Sequence, residues 1–270
     1  MVNFKGNIFN IWKLIIKKMI LYIILIYFWF LLFLFFMQKW MLYHPNNISF
    51  LDCNTFKEDE QKIYKNTRFY EKKWDKEWII VFFHWNAWSA CNRSVIKWLL
   101  EKIWYSIIFV EYTWYTNIGN KKPNIKDILI DVDNIWEYIN SKKYKKIYVM
   151  WRSLWTWPAS YLSSLINVEK LLLISPYSQL YRVAADKYPI FPVKYLFSEN
   201  YNSEKYLENY KNNLLIIHWK LDKVIPYKFW KELFDWLVTT KKDIISLDNW
   251  SHHNIFEYEE VNKKIIEFLK

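Results

Sequence analysis

The amino-acid sequence predicts an α/β fold: a mainly parallel sheet flanked by helices and preceded by one transmembrane helix. After residue 75, short apolar runs alternate with longer stretches of helical periodicity, an order typical of βαβ units. The runs read as continuous apolar stretches, as expected for strands buried on both faces. A long uncharged stretch precedes them near the N-terminus. The 270 residues suit one domain of ordinary size together with that appendage.

The uncharged stretch covers residues 19–37, MILYIILIYFWFLLFLFFM. As a helix, it would extend about 28 Å, enough to cross the hydrocarbon core of a bilayer. It is apolar on every face, unlike a helix on a protein surface, and no small-residue cleavage site follows it. A retained signal anchor is therefore favoured over a cleaved signal peptide.

Lysines around this anchor predict its direction. Most of them precede the apolar stretch and one follows it closely: Lys5, Lys13, Lys17, Lys18 and then Lys39. By the positive-inside rule, the N-terminus is cytoplasmic and the rest of the chain extracytoplasmic. We therefore expect a single-pass protein of the cell membrane, with a cytoplasmic stub and anchor over residues 1–39 and a folded domain over residues 40–270.

Charge and cysteine content narrow the class of partner. The net charge is +11, but the lysines are scattered along the sequence rather than packed into a dense run. This spacing is typical of solvated faces, with attraction to a membrane surface as the second interpretation, and it predicts no nucleic-acid partner.

The chain has two cysteines, Cys53 and Cys91, and they match no metal-binding spacing. Two unpaired thiols are expected, with a disulfide as the alternative outside the cytoplasm.

The apolar runs and the helical patterns between them predict the elements of the domain. Antiparallel strands are expected to open the sheet within residues 46–75. A region over residues 176–210 breaks the alternation with aromatic residues and three prolines, and it is expected to form a small lid over a pocket. The predicted strands are 78–83, 106–111, 146–150, 171–175, 213–218 and 243–247. The predicted helices are 89–103, 125–140, 156–165, 227–237 and 257–269.

Tryptophan occupies positions where short motifs call for glycine. The chain has 18 tryptophans and only 2 glycines, whereas glycine is roughly 7% of an ordinary protein. With glycine in place of tryptophan, residues 84–88, 151–155 and 218–222 read HGNAG, GRSLG and HGKLD. We hypothesise that the gene uses UGA for glycine; a truly tryptophan-rich protein is the alternative. The motif positions concerned are Trp85, Trp88, Trp151, Trp155, Trp219 and Trp250.

Ser153 is the candidate nucleophile. It lies between a predicted strand and a predicted helix, in a segment that reads G-x-S-x-G once Trp151 and Trp155 are taken as glycine. This is the pattern of a nucleophile elbow. The turn is so sharp that the positions two before and two after the serine press together, and an indole is expected to dismantle it. The alternative is an ordinary helix N-cap serine.

These motifs, in this order, resemble the α/β-hydrolase superfamily. The chain looks most similar to its membrane-anchored, single-span abhydrolase-domain proteins, related to serine aminopeptidases and dienelactone hydrolases. The resemblance runs from QKWMLYHP at the exit of the anchor to the C-terminal helix. Membership would imply hydrolysis of a carboxylic ester, thioester or amide, with no metal and no organic cofactor.

The resemblance also implies the partners of the serine, in the chain order Ser, Asp or Glu, His. Asp222, in HWKLDKVIP, is similar to the family's acid loop; Asp243 and Asp248 are weaker candidates. His253 follows the last predicted strand in a segment similar to the family's G-x-x-H-N ending, and His252 is the alternative. The other histidines, His44, His84 and His218, are assigned to structural positions.

An oxyanion hole completes the expected site. It needs backbone N–H groups directed at the developing negative charge. One donor is expected at Leu154, the residue after the nucleophile, and the other at Asn86 in the loop after the first parallel strand.

Three functions are compatible with these residues. The leading one is a membrane-tethered serine hydrolase that works through a covalent acyl-enzyme. The others are a catalytically silent, membrane-anchored binding module and an acyltransferase. The expected partners are a small-molecule, lipid or peptide acyl substrate and, through residues 19–37, a membrane. Because substrate choice depends on pocket shape, the sequence does not identify the substrate.

Overall fold

The computed structural model describes residues 4–45, 49–74, 77–84, 86, 89–113, 115, 124–199, 201–248 and 255–270. Within these ranges the strands form one eight-stranded sheet in the order β1-β2-β4-β3-β5-β6-β7-β8. The first two strands are antiparallel to their neighbours, and β3 to β8 run parallel. The strands are β1 Gln61–Tyr64, β2 Thr67–Lys72, β3 Trp78–Phe83, β4 Ser106–Glu111, β5 Lys146–Arg152, β6 Lys170–Ile174, β7 Asn213–Trp219 and β8 Lys242–Leu247.

Helices cover both faces of this sheet, and the expected α/β architecture is confirmed. The long N-terminal helix is α1, Phe4–Leu42. Those that follow are α2 Ser94–Glu101, α3 Ile125–Lys142, α4 Thr156–Leu165, α5 Leu180–Lys187, α6 Val193–Leu196, α7 Ser203–Leu207, α8 Lys228–Trp236 and α9 Glu259–Leu269. The short helices α5, α6 and α7 lie in the region expected to form a lid. The helix expected over residues 89–103 is shorter, since residues 90–92 form a 3-10 turn before α2.

The central strand β3 shows why its sequence is apolar at every position. Ile79 and Val81 pack on the face covered by α3, α4 and α8, whereas Ile80 and Phe82 pack on the face covered by α2 and α9. All four side chains are fully buried. Successive side chains of a strand point to opposite faces, so a strand covered on both sides needs apolar residues throughout.

The N-terminal helix is continuous and mostly exposed. α1 spans 39 residues, and the most apolar 18-residue window within residues 10–42 has a mean hydropathy of 2.7, with 6% of it buried. By length and composition this helix could cross a membrane. It extends beyond the expected residues 19–37 at both ends.

The second half of α1 contacts the lid on one side, although most of the helix is exposed. The Tyr27 hydroxyl donates to the Ile190 carbonyl at 3.0 Å, and the rings of Tyr27 and Phe30 lie 5.8 and 5.4 Å from that of Phe191. The Gln38 amide bonds the backbone of the lid at Leu196 and Ser198. Aromatic and backbone polar groups of the lid therefore contact residues spaced along one side of α1.

The expectation of two unpaired thiols is wrong. Cys53 and Cys91 form a disulfide, with their Cα atoms 5.6 Å apart. Their separation of 38 residues in sequence hid this proximity, because it arises only when the segment before β1 packs against the turn before α2. Disulfides persist in oxidising compartments.

Reduction of this disulfide is expected to lower the free energy of unfolding by about 3–4 kcal/mol. The chain-entropy estimate for a closed loop of this length gives that magnitude. Urea unfolding of the detergent-solubilised protein, with and without dithiothreitol, measures the difference. The double variant Cys53→Ala/Cys91→Ala is the control: its midpoint should be low and should not respond to the reductant. An unchanged midpoint on reduction of the unaltered protein would contradict the expectation.

Candidate active site

Ser153 lies in a sharp turn between β5 and α4. The strand ends at Arg152, a 3-10 turn covers residues 153–155, and the helix begins at Thr156. Ser153 has φ 62°, a left-handed value that is uncommon for a residue with a Cβ. Such conformations are retained where the surrounding structure enforces them, often at functional sites. The serine is largely buried but lines a cavity.

Two of the tryptophans in glycine-like positions, Trp151 and Trp155, are fully buried at this turn. Trp151 ends β5, paired with Phe83 on β3 and Leu173 on β6. Trp155 stacks on Tyr112 at a ring distance of 4.6 Å. The turn therefore accommodates both indoles, contrary to the expectation that they would dismantle it.

Burial of tryptophans in this region leaves some indole N–H groups without a hydrogen-bond partner among the described residues. The indole N–H groups of Trp151 and of Trp157, on α4, are buried and have no hydrogen-bond partner among the described residues. Buried tryptophans usually find a partner for this donor, and leaving a buried donor unsatisfied costs about 1–3 kcal/mol. Trp219, at the end of β7, is fully buried too and lies 5.8 Å from the Arg152 guanidinium.

Asp222 follows β7 and is almost completely buried. Its Oδ1 accepts the backbone N–H groups of Val224 and Ile225 at 2.8 and 2.9 Å. Its Oδ2 accepts the Ser175 hydroxyl at 2.9 Å. These donors hold the carboxylate in one orientation.

Ser153 and Asp222 belong to the same edge of the sheet. β5, β6 and β7 are parallel neighbours, so their carboxyl ends meet there, the usual position of sites in open α/β sheets. Val224 and Ile225, which bind Asp222, line the cavity that also contains Ser153.

Two buried residues at this edge were not singled out from the sequence. Ser175 follows β6 with φ 47° and binds Asp222. Arg152 lines the cavity; burial lowers the pKa of its guanidinium to about 10, and the nearby Asp222 charge opposes that shift. The elbow motif marks Arg152 by position alone, whereas nothing local to Ser175 marks it.

The expected base lies outside the described residues. His253, its alternative His252 and the motif position Trp250 fall between β8 and the residues that resume at Ile255. Trp85 and Trp88 fall outside as well. The surrounding chain is described: Leu247 ends β8 paired with Trp219 of β7, next to the segment that carries Asp222.

The two expected oxyanion residues line the same cavity as Ser153. The carbonyl of Leu154 accepts the Tyr177 hydroxyl at 2.5 Å. The Asn86 side chain is fixed on both sides: its Nδ2 donates to the Leu42 carbonyl, and its Oδ1 accepts the backbone N–H of His44 at 3.0 Å and the Tyr115 hydroxyl at 2.5 Å. The end of α1 therefore reaches the site, which the sequence did not predict.

A buried carboxylate joins the end of α1 to the lid. Glu199 accepts the Tyr43 hydroxyl at 2.7 Å and the Ile125 backbone N–H at 3.0 Å, and it pairs with Lys39 at 3.4 Å. Burial raises the pKa of this carboxyl, and the Lys39 charge lowers it. Glu199 thus fixes α1 against both the lid and α3.

The remaining histidines that end strands are buried. His84 Nε2 lies 3.1 Å from Glu111 Oε1, and both side chains are inaccessible to solvent. His218 Nδ1 lies 2.9 Å from the Trp219 carbonyl. His44, by contrast, lines the cavity.

No protein-family model matches the sequence, and no curated protein matches it. Solved structures do match. An esterase of Pyrococcus furiosus, Pf2001, is 17% identical over 84% of this chain and 97% of its own, with a TM-score of 0.63. Est1E of Butyrivibrio proteoclasticus, solved with ferulic acid bound, is 12% identical over 77% and 98%, with a TM-score of 0.60.

A monoacylglycerol lipase of Paleococcus ferrophilus is also similar, at 15% identity over 75% of this chain and 98% of its own, with a TM-score of 0.55. A putative α/β hydrolase of Agrobacterium tumefaciens is 16% identical over 77% and 93%, with a TM-score of 0.57. At identities of 12–17%, the similarity to these proteins shows the fold alone. The chain has the α/β-hydrolase fold.

Proposed function

We propose that this protein is a membrane-anchored serine hydrolase that cleaves a carboxylic ester, thioester or amide. The observation that carries the proposal is Ser153: a serine at φ 62°, directly after a parallel strand and before a helix, on the wall of a cavity. An ordinary N-cap serine has extended backbone angles, so the left-handed conformation favours a nucleophile elbow.

The proposed chemistry uses Ser153, Asp222 and His253. The histidine takes the proton of the Ser153 hydroxyl as its oxygen attacks the acyl carbon. The backbone N–H groups of Leu154 and Asn86 stabilise the negative charge on the acyl oxygen. Collapse expels the alcohol, thiol or amine, which receives the proton from the histidine. Water then attacks the acyl-enzyme by the same route and releases the acid.

Asp222 supports this assignment better than its rivals. Its carboxylate is buried and oriented by backbone and hydroxyl donors, as needed to hold a histidine in one tautomer. Asp248 is exposed and paired with Lys220, and the Asp243 carboxylate accepts its own neighbour's backbone N–H at the start of β8. The similarity to esterases and a lipase agrees with a hydrolase.

We also propose that the protein is held in the cell membrane by its N-terminal helix. Residues 1–39 supply the cytoplasmic stub and the anchor, and residues 40–270 form the hydrolase domain outside the cytoplasm. Support comes from the long exposed apolar helix, from the lysines before it and from the Cys53–Cys91 disulfide, since disulfides are rare in cytoplasmic proteins.

Recoding belongs to the proposal as well. We infer that the tryptophans at the six motif positions stand for glycines encoded by UGA. Their concentration in motifs that call for glycine and the unsatisfied Trp151 indole N–H support this. The codons give the first test: UGA at these positions agrees with recoding, and UGG contradicts it.

A fluorophosphonate probe tests the catalytic proposal. The full-length protein, made with glycine for UGA, is expected to carry one probe adduct, located on Ser153 by mass spectrometry. Ser175 is the internal control, because it too follows a strand with a left-handed φ and binds Asp222, but it is fully buried. Labelling at Ser175 would reassign the nucleophile, and no labelling would favour the silent binding module.

A further inference from the structure

The cavity beside Ser153 is walled by two elements that the proposed chemistry does not use. Its volume is about 470 Å³, within the usual range for ligand pockets. One wall comes from α1, with Leu34, Phe35 and Met41. The facing wall comes from residues 180–197 of the lid, whose lining side chains are mostly apolar. An apolar passage therefore leads from the candidate nucleophile along the face of the membrane-type helix.

The tip of the lid lies beside the middle of the apolar helix. Phe191 stacks on Tyr27 and packs on Phe30. Tyr27 is ten residues before the end of the uncharged stretch at residue 37, a distance of about 15 Å along a helix. Since a hydrocarbon core is about 30 Å thick, a membrane around residues 19–37 would surround the lid tip as well.

The lid tip, defined as residues 189–192 with the sequence Pro-Ile-Phe-Pro, has the chemistry that such surroundings require. Ile190 is 72% exposed. Both prolines lack a backbone N–H, the Ile190 carbonyl accepts the Tyr27 hydroxyl, and the Phe191 N–H donates to the Tyr188 carbonyl at 3.1 Å. The Phe191 and Pro192 carbonyls also accept backbone N–H groups of α6. Four of the six backbone polar groups of the lid tip are therefore hydrogen-bonded within the protein, as hydrocarbon surroundings favour.

We propose that the lid tip lies in the bilayer beside α1 and that the substrate is a membrane lipid with a long acyl chain in ester linkage. The acyl chain of the lipid passes from the bilayer between α1 and the lid, and its carboxyl carbon reaches Ser153. Hydrolysis consumes one water and releases the fatty acid and the lipid alcohol. The choice of substrate rests on the proposed serine hydrolase function; the membrane position of the lid tip does not.

Placement of the lid tip is tested without catalysis. The variants Ile190→Cys and Ile63→Cys are labelled with an environment-sensitive dye in the full-length protein, reconstituted in phosphatidylcholine vesicles. Ile63, on edge strand β1, is a matched exposed isoleucine at 60% exposure, and the disulfide leaves no other thiol to label. The dye at 190 should emit at shorter wavelength and be quenched by brominated lipid, and the dye at 63 should not. A water-like signal at 190 overturns the placement.

Substrate class is tested by a ratio of rates. The same vesicles are assayed with a membrane-partitioned palmitoyl ester and with a water-soluble acetyl ester. Ile190→Asp should lower the palmitoyl-to-acetyl ratio about tenfold or more, because a carboxylate is expelled from hydrocarbon. Val183→Trp, which fills the apolar passage, should lower it as well, and Ile63→Asp should leave it unchanged.

The outcomes separate the two levels of the proposal. An unchanged ratio in both Ile190→Asp and Val183→Trp, with Ser153 still labelled by fluorophosphonate, overturns the lipid substrate and leaves the hydrolase intact. Absence of hydrolysis and of labelling in the unaltered protein overturns the hydrolase and its substrate together, while the dye measurement still reports where the lid tip lies.

Discussion

Replacing Ser153 by alanine is expected to lower kcat for ester hydrolysis by roughly 10⁴- to 10⁶-fold. The hydroxyl is the attacking group in the proposed chemistry, and loss of a triad nucleophile removes nearly all catalysis beyond that of the oxyanion donors. The side chain lies on a cavity wall and the variant keeps the Cβ, so the fold should survive. Initial rates on a short-chain p-nitrophenyl ester, with urea unfolding in parallel, measure the two effects.

Ser160→Ala is the matched control for this variant. Ser160 is a buried serine on α4, and its hydroxyl donates to the Thr156 carbonyl at 2.8 Å. Its loss should change stability by about 1 kcal/mol and leave the turnover rate within a few-fold. Retention of more than a tenth of the activity in Ser153→Ala would show that another residue is the nucleophile.

The sheet follows from the sequence because its determinants are local. Each parallel strand from β3 to β7 is mostly a run of buried apolar residues, and the edge strand β8 is a half-buried one. The observed bounds differ from the expected ones by at most two residues: β6 is Lys170–Ile174, against the expected 171–175. A continuous apolar run of this length is what a strand covered by helices on both faces requires, so the run itself predicts the strand. The elbow is equally local, since Ser153 stands between a strand and a helix within the five consecutive positions 151–155 of the motif.

Contacts between distant segments were not predictable in the same way. The Cys53–Cys91 disulfide, the Ser175–Asp222 hydrogen bond and the attachment of Asn86 to the end of α1 each join residues far apart in sequence. Their positions are fixed only when the strands have taken their order in the sheet. The packing of the lid on α1 is of the same kind, because it depends on the height at which Phe191 meets Tyr27.

Replacing tryptophan by glycine at positions 85, 88, 151, 155, 219 and 250 should raise stability and give an active enzyme if the gene is recoded. Glycine suits sharp turns at which a backbone must approach closely. The change also removes the buried Trp151 indole N–H, which has no partner among the described residues. If the tryptophans are native, the structure predicts the opposite result: the glycine form should lose stability and activity.

In that second case, three fully buried indoles would be deleted, at Trp151, Trp155 and Trp219. Truncation of a buried tryptophan costs about 3–5 kcal/mol, so the three together cost on the order of 10 kcal/mol, comparable with the whole stability of a domain at about 5–15 kcal/mol. The glycine form would then be unfolded and inactive. Both full-length forms, purified in detergent, are compared by urea unfolding and ester turnover, with Ser153→Ala in the more active form as the blank. A stable, active tryptophan form beside an unfolded glycine form would reject recoding, because the sign of the stability difference is set by which residue the fold evolved around.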